Sequence, residues 1–413
     1  MILTDMEILF VLIAIALILA KVLGHIVDRL KQPPVIGEII AGFFLGSFGI
    51  GALSGLNFTI FNWVIVLPEI SYESSEFEIF SRLGIIFLMF ISGLETSLPK
   101  LKSMGKNSTY IAIGGVVVPL LFGLLTGLYF GFSWSESVII GLILIATSVG
   151  ITVKTMMELH IIQTTPGVAI LGAAVIDDII GIILLVFLLG QESPIFTSIK
   201  IVIFFVFSLY IGLKYIDKIL DLGEKIRMPK SLLGISLAVL LIYTFFAVEC
   251  GITDIIGAFV IGLIIGDTVK SKRIVEDVKV IGYGLFIPLF FVGVGASVHL
   301  PVFAVIGPFA LAFIFVGILG KIIGCGIIAR LTGMSRNESL VVGLGMIPRL
   351  EMAIIISGIA VKYDILVGET ADKILASTIL LCIVTSLITP ILIKAITSRS
   401  KINFLENLYE SDI

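Results

Sequence analysis

Apolar residues in this chain come in continuous runs of about twenty, separated by short charged or Gly/Pro-containing breaks. The runs fall near 6–22, 35–53, 79–98, 109–131, 137–156, 167–189, 195–215, 231–249, 252–267, 281–298, 302–330, 338–362 and 373–397. Runs of this length predict thirteen transmembrane helices. A backbone in lipid must satisfy every N–H and C=O internally, which leaves helices or closed barrels, and continuous runs favour helices. The expected fold class is therefore an all-α polytopic membrane protein, one integral membrane domain over 1–413. The first run does not read as a cleaved signal, since Asp5 and Glu7 stand where basic residues would precede one.

Basic residues test this map independently. Lys21, Arg29 and Lys31 follow the first run; Lys100, Lys102 and Lys106 the third; Lys154 the fifth; Lys214, Lys218, Lys225, Arg227 and Lys230 the seventh. Lys270, Lys272, Arg273 and Lys279 follow the ninth, Arg330 and Arg336 the eleventh, and Lys394, Arg399 and Lys401 the thirteenth. The opposite loops hold only Lys362 and Lys373, a division of 21 against 2. The positive-inside rule then predicts an external N-terminus and a cytoplasmic C-terminus in the cytoplasmic membrane. The longest external loop, 54–78, contains an apolar stretch from Phe58 to Leu67 with Trp63 in it, too short to cross and expected at the interface.

Composition agrees with this solvent: 58% of residues are hydrophobic and 14% charged, against roughly 25% charged in soluble domains. A net charge of −3 carries no signature of nucleic-acid binding. Cys250, Cys325 and Cys382 show no paired or metal-type spacing, and His25, His160 and His299 lie at run ends with no nucleophile partner. Enzyme chemistry and a resident cofactor are not expected.

Four of the 27 basic residues lie inside runs. Arg82 and Lys200 are near run ends and can snorkel. Lys321 is near the middle of the eleventh run, Arg349 and Glu351 of the twelfth, and Asp177 and Asp178 of the sixth. A charge at mid-bilayer costs at least ~2.5–3.5 kcal/mol, so such residues face a partner or a wet cavity. One Asp–Lys pair can simply hold helices together. Two adjacent carboxylates differ, because one lysine neutralises only one of them and the other needs a proton or a cation. Neighbouring helical positions point about 100° apart, so one aspartate can meet the lysine while the other faces a cavity.

Two runs look interrupted, the fifth through Ala146-Thr147-Ser148-Val149-Gly150 and the twelfth through Gly343-Leu344-Gly345-Met346-Ile347-Pro348. Matched breaks in two halves point to a transporter site. The fifth and twelfth runs are an odd number apart and cross in opposite directions, which pairs spans 4–6 with spans 11–13 as an inverted repeat.

Several segments resemble the second cation:proton antiporter family: Arg29-Leu-Lys-Gln-Pro-Pro-Val-Ile-Gly-Glu-Ile-Ile-Ala-Gly-Phe-Phe-Leu-Gly46, Phe90-Ile-Ser-Gly-Leu-Glu95, Ala146-Thr-Ser-Val-Gly-Ile-Thr152 and Gly172-Ala-Ala-Val-Ile-Asp-Asp-Ile-Ile-Gly181. Pro288-Leu-Phe-Phe-Val-Gly293 and Gly345-Met-Ile-Pro-Arg-Leu-Glu351 extend the likeness, which is nearest to the NapA-type sodium/proton branch and covers essentially the whole chain. The resemblance implies a homodimer with a dimerisation scaffold, here approximately 6–98 and 195–298, and a mobile core, approximately 109–189 and 302–397. It implies two broken helices crossing beside the aspartates, and a core that exposes the site to alternate sides. By position Asp178 is the implied carrier of sodium and proton, Asp177 its neighbour, Lys321 the partner of Asp177, and Thr147 and Ser148 contributors near the ion. The family usually has Pro-Arg-Gly-Glu where this chain has Leu350, so Arg349 and Glu351 are expected to stabilise the break rather than bind the ion. Glu38 and Glu95 fall within family motifs near the cytoplasmic face.

Sodium is a hard cation that a carboxylate, a hydroxyl and freed carbonyls can ligate. Competition between sodium and protons for one carboxylate, open to one side at a time, gives exchange. Two aspartates suggest two protons per sodium and an electrogenic cycle. Potassium/proton exchange of the Kef type is the alternative; those relatives carry a cytoplasmic nucleotide-binding domain, and this sequence ends at Ile413, soon after the last run. A cation channel is a third reading. The sequence leaves open the preference among Na⁺, Li⁺ and K⁺.

Overall fold

Every apolar run contributes helix, and the chain leaves the helix where its residues stop supporting one. The computed structural model describes residues 5–46, 57–60, 63–66, 75–189, 194–226, 228–296 and 307–399. The order is α1 (Asp5–Arg29), α2 (Val35–Leu45), β1 (Asn57–Ile60), β2 (Trp63–Val66), α3 (Ser75–Glu95), α4 (Leu98–Tyr129), α5 (Trp134–Ile145), α6 (Val149–Glu158), α7 (Thr165–Leu189), α8 (Pro194–Lys225), α9 (Ser231–Glu249) and α10 (Asp254–Gly266). There follow α11 (Ser271–Ile281), α12 (Ile287–Ala296), α13 (Pro308–Lys321), α14 (Ile328–Leu331), α15 (Arg336–Gly345), α16 (Glu351–Lys362) and α17 (Gly368–Arg399). Among the described residues, nine helical stretches are long and apolar enough to cross a membrane, and α2, α10 and the middle of α16 are shorter apolar helices.

Local chemistry fixes the boundaries. Pro33 and Pro34 cannot continue α1, and α2 starts directly after them. Helix α5 opens on a capping box, in which Ser133 Oγ accepts from Glu136 N–H at 3.3 Å and Glu136 Oε2 accepts from Ser133 N–H at 2.7 Å. Helix α15 opens on the same device, Ser335 and Glu338, at 3.3 and 2.8 Å. Each box follows a glycine in the left-handed region, Gly131 at φ 82° and Gly333 at φ 100°, which closes the preceding helix. Downstream, His160 before α7 and Asp364 before α17 both take left-handed backbone, at φ 57° and 54°. The chain thus runs the same series of pieces twice, helix, glycine turn, capped half-helix, break, half-helix and long helix, in line with the repeat expected from the sequence.

Two segments depart from the expectation. The region 270–279, anticipated as loop, forms α11, because Ile274 and Val278 stand one turn apart and are buried while charged residues take the other face. Within and beside the 58–67 stretch, residues 57–60 and 63–66 pair as antiparallel strands, with Asn57 opposite Val66 and Ile60 opposite Trp63. π-Helical turns at Gly282–Phe286 and Ile322–Ile327 lead into α12 and α14.

The chain divides into two compact units. Residues 1–87 with 280–304 form the first, where α1, α2 and α12 pack around Leu12, Leu45, Phe77 and Leu289. Glycine is required at its closest crossing: a Cβ on Gly42 would lie 2.1 Å from the Val292 carbonyl, and one on Gly295 would lie 2.0 Å from that of Ile39. Residues 88–279 with 305–413 form the second. There α4 packs on α5, α7 and α13, α17 packs on α13, α15 and α16, and α8, α9 and α10 pack together.

Candidate functional site

The fifth and twelfth runs are broken where the sequence placed the breaks. Helix α5 ends at Ile145, Ala146 turns out of the helix at ψ 129°, Ser148 is extended, and α6 begins at Val149. Helix α15 ends at Gly345 and α16 begins at Glu351. The two breaks join directly, because Ser148 N–H donates to the Pro348 carbonyl at 2.7 Å. Thr152 Oγ1 adds a bond to the Gly345 carbonyl at 2.6 Å. Unwound backbone at this depth survives only if protein atoms satisfy it, and each break supplies partners for the other.

Arg349 bonds further carbonyls at both breaks. Its side chain is fully buried, and one guanidinium nitrogen, Nη1, donates to the carbonyls of Ile347 and Met346 at 2.6 and 3.0 Å. The other, Nη2, donates to Leu144 at 2.7 Å and reaches Gly317 at 3.5 Å. One cation therefore sits at the C-terminal, partially negative ends of both α5 and α15. Its backbone N–H donates to Thr385 Oγ1 on α17 at 3.2 Å. Arg349, expected from the sequence to serve the break rather than the ion, thus bonds carbonyls of both broken spans; the side chain of Glu351 lies outside the described residues.

Beside the crossing, α7 carries Asp177 and Asp178 on consecutive positions, 1% and 8% exposed. Asp177 Oδ2 accepts from Lys321 Nζ at 2.8 Å and from Thr147 Oγ1 at 2.6 Å. Lys321 is itself wholly buried at the end of α13. Asp177 Oδ1 is buried and accepts no hydrogen bond from the described residues. The pair, the break and the second carboxylate thus converge from α13, the α5–α6 connection and α7. Ser148 is buried, and its backbone serves the link between the breaks.

Gly115 on α4 leaves room for Cys325 and lies beside Lys321. A Cβ on Gly115 would lie 3.3 Å from Lys321 Nζ and 2.5 Å from Sγ of the buried Cys325. Sequence reading gave no role to Gly115, Thr152 or Thr385: each acts through a contact far away along the chain, and only Thr152, at the end of the Ala146–Thr152 motif, had a local signal that could have found it. Lys154, counted with the cytoplasmic loops, is buried within α6 and pairs with Glu158 at 3.5 Å. Glu95 pairs with Lys279, and Glu38 is buried in α2.

Residues 11–398 match the model of the family described as "Sodium/hydrogen exchanger, transmembrane". The chain is 34% identical to the "Na(+)/H(+)-K(+) antiporter GerN" of Bacillus cereus, over 93% of this chain and 95% of that one. It is 33% identical to the "Na(+)/H(+) antiporter" of Enterococcus hirae, over 94% and 98%. Its fold matches the solved sodium proton antiporter MjNhaP1 of Methanocaldococcus jannaschii with a TM-score of 0.67 at 18% identity, over 97% of this chain and 99% of that one.

Proposed function

This chain belongs to the sodium/hydrogen exchanger family, and from that premise we propose that it exchanges sodium for protons at Asp178, with Asp177 as the second carboxylate of the site. The observation that carries the reading is the state of Asp177: buried, bonded through Oδ2 to Lys321 and Thr147, and next to a second buried carboxylate. Lys321 holds one negative charge in place. Asp178 is then the carboxylate whose charge is balanced by sodium on one stroke and by a proton on the other. Hard oxygen ligands for sodium are at hand in the carboxylates, in the Thr147 and Ser148 hydroxyls and in carbonyls freed by the breaks.

Because both ions use one carboxylate, neither leaves until the other replaces it, and exposure to one side at a time converts that competition into antiport. The helices of 109–189 and 302–397 form the moving core in this reading, and those of 6–98 and 195–298 the scaffold through which two copies pair. Thirteen spans, basic loops in the cytoplasm and an external N-terminus complete the arrangement in the cell membrane, with two protons moving per sodium.

The Bacillus cereus relative carries potassium as well as sodium in its name. The deciding experiment is cation-induced proton flux in proteoliposomes with Na⁺, Li⁺ and K⁺ supplied in turn. Saturable proton release with Na⁺ that depends on Asp178 supports the reading. Flux with K⁺ alone would replace sodium by potassium, and non-saturating flux without counter-ion would point to a channel.

A further inference from the structure

The flank of α4 that meets α14 carries a groove of about 680 Å³, within the ~300–1,000 Å³ typical of ligand clefts. Its polar end is made by Lys106, Asn107 and Thr332, and its walls by Val117, Ile328 and Leu331. Val117 is 46% and Leu331 75% exposed, apolar surface suited to lipid rather than to water. Among the described residues no carboxylate pairs with Lys106, whose ammonium stands 6.0 Å from the centre of the Tyr110 ring.

The dimensions select the occupant. From Lys106 to Val118 helix α4 rises ~18 Å, close to the ~15 Å of half a hydrocarbon core. A cation at the mouth of an apolar channel one leaflet deep is complementary to a negatively charged headgroup with its acyl chain. We propose that this groove binds an anionic phospholipid, its phosphate on Lys106 and Asn107 and one chain along Val117, Ile328 and Leu331. The groove reaches Gly114, and the adjoining Gly115 backs onto Lys321, so the lipid packs on the reverse side of the helices that hold the ion pair.

A ligand bridging α4 and α14 raises the unfolding temperature of the chain as its concentration exceeds Kd. The test follows unfolding of the full chain in detergent as phosphatidylglycerol is added, with phosphatidylcholine of the same acyl chains in parallel. Phosphatidylglycerol is expected to stabilise saturably and phosphatidylcholine not to. Lys106→Gln should raise the half-saturating concentration about fivefold, and Val117→Trp, which fills the groove, should remove the response. Lys218→Gln on α8, an exposed basic residue elsewhere, should leave it unchanged. Equal stabilisation by both lipids, a response kept by Lys106→Gln, or one lost equally in Lys218→Gln would overturn the proposal. Should Val117→Trp fail to fold, the comparison of the two lysine variants carries the test alone.

Discussion

Lys321 and Asp177 meet at 2.8 Å with side chains 0% and 1% exposed, and Thr147 donates to the same carboxylate oxygen. The pair joins α13 to α7, and both charges are buried away from the protein surface. Removing one member of such a pair costs ~3–5 kcal/mol, because the survivor is left charged in a low-dielectric core. Lys321→Ala is therefore expected to lower the unfolding temperature, and Asp177→Asn on the same background to recover much of the loss. A thermal double-mutant cycle reads the coupling, expected at ~0.5–3 kcal/mol; additive losses would mean the contact contributes nothing.

Asp178→Asn should abolish sodium/proton exchange while the protein stays folded, since an amide offers neither the proton nor the charge. Replacing a buried carboxylate with a neutral group should leave thermal stability equal or higher. Proteoliposome flux and a melting curve on one preparation check both halves. Near wild-type exchange would move the carrier role elsewhere.

Arg349→Met should be among the most destabilising substitutions in the chain. The guanidinium serves carbonyls at Leu144, Met346 and Ile347, and each polar group left buried and unsatisfied costs ~1–3 kcal/mol. Arg349→Lys can satisfy only part of this set, because an ammonium lacks the planar fork that reaches two half-helices at once. The expected order of unfolding temperatures is wild type, then Lys, then Met. Equal stability of Met and wild type would show that the carbonyls find other partners.

The basic residues, 21 against 2 by sequence, with Lys154 of the 21 buried in α6, predict the orientation. Single cysteines replacing Lys225, exposed at the end of α8, and Glu369, exposed at the start of α17, should react from opposite sides of the membrane. With Cys250 replaced by Ser, an impermeant thiol reagent applied outside intact cells should label only position 369. Labelling of both positions would overturn the topology.

Charge movement follows from the two carboxylates. If the sodium stroke leaves Asp177 paired with Lys321, and the return stroke carries one proton on Asp178 and one more within the pair, each cycle moves a net charge. A membrane potential is worth ~2.3 kcal/mol per charge per 100 mV. Imposing a potassium/valinomycin potential at zero pH gradient should then change sodium uptake. Uptake that ignores the potential would show one-for-one exchange and reduce Asp177 to a structural role.

Much of this protein is decided by the chain alone. Lipid accepts only helices or closed barrels, so continuous runs of this length and the rarity of charge fix the class and the approximate helices. The cost of charge at mid-bilayer makes Asp177, Asp178, Lys321 and Arg349 conspicuous before any contact is known. The paired Gly/Pro-containing interruptions show that two helices break, since few residue types permit it. What stays hidden is everything that depends on which helix faces which. That Thr147 and Lys321 share one oxygen of Asp177, that Arg349 serves α5 as well as its own segment, and that Gly115 leaves room for Cys325 beside Lys321 are contacts between residues distant along the chain. Lys154 shows the same limit, because a lysine near a run end looks like a loop residue until packing encloses it beside Glu158. Local propensity and hydropathy act over a few turns of helix, whereas the pairing of buried charges is settled only when the helices pack and leave each polar group a single set of partners.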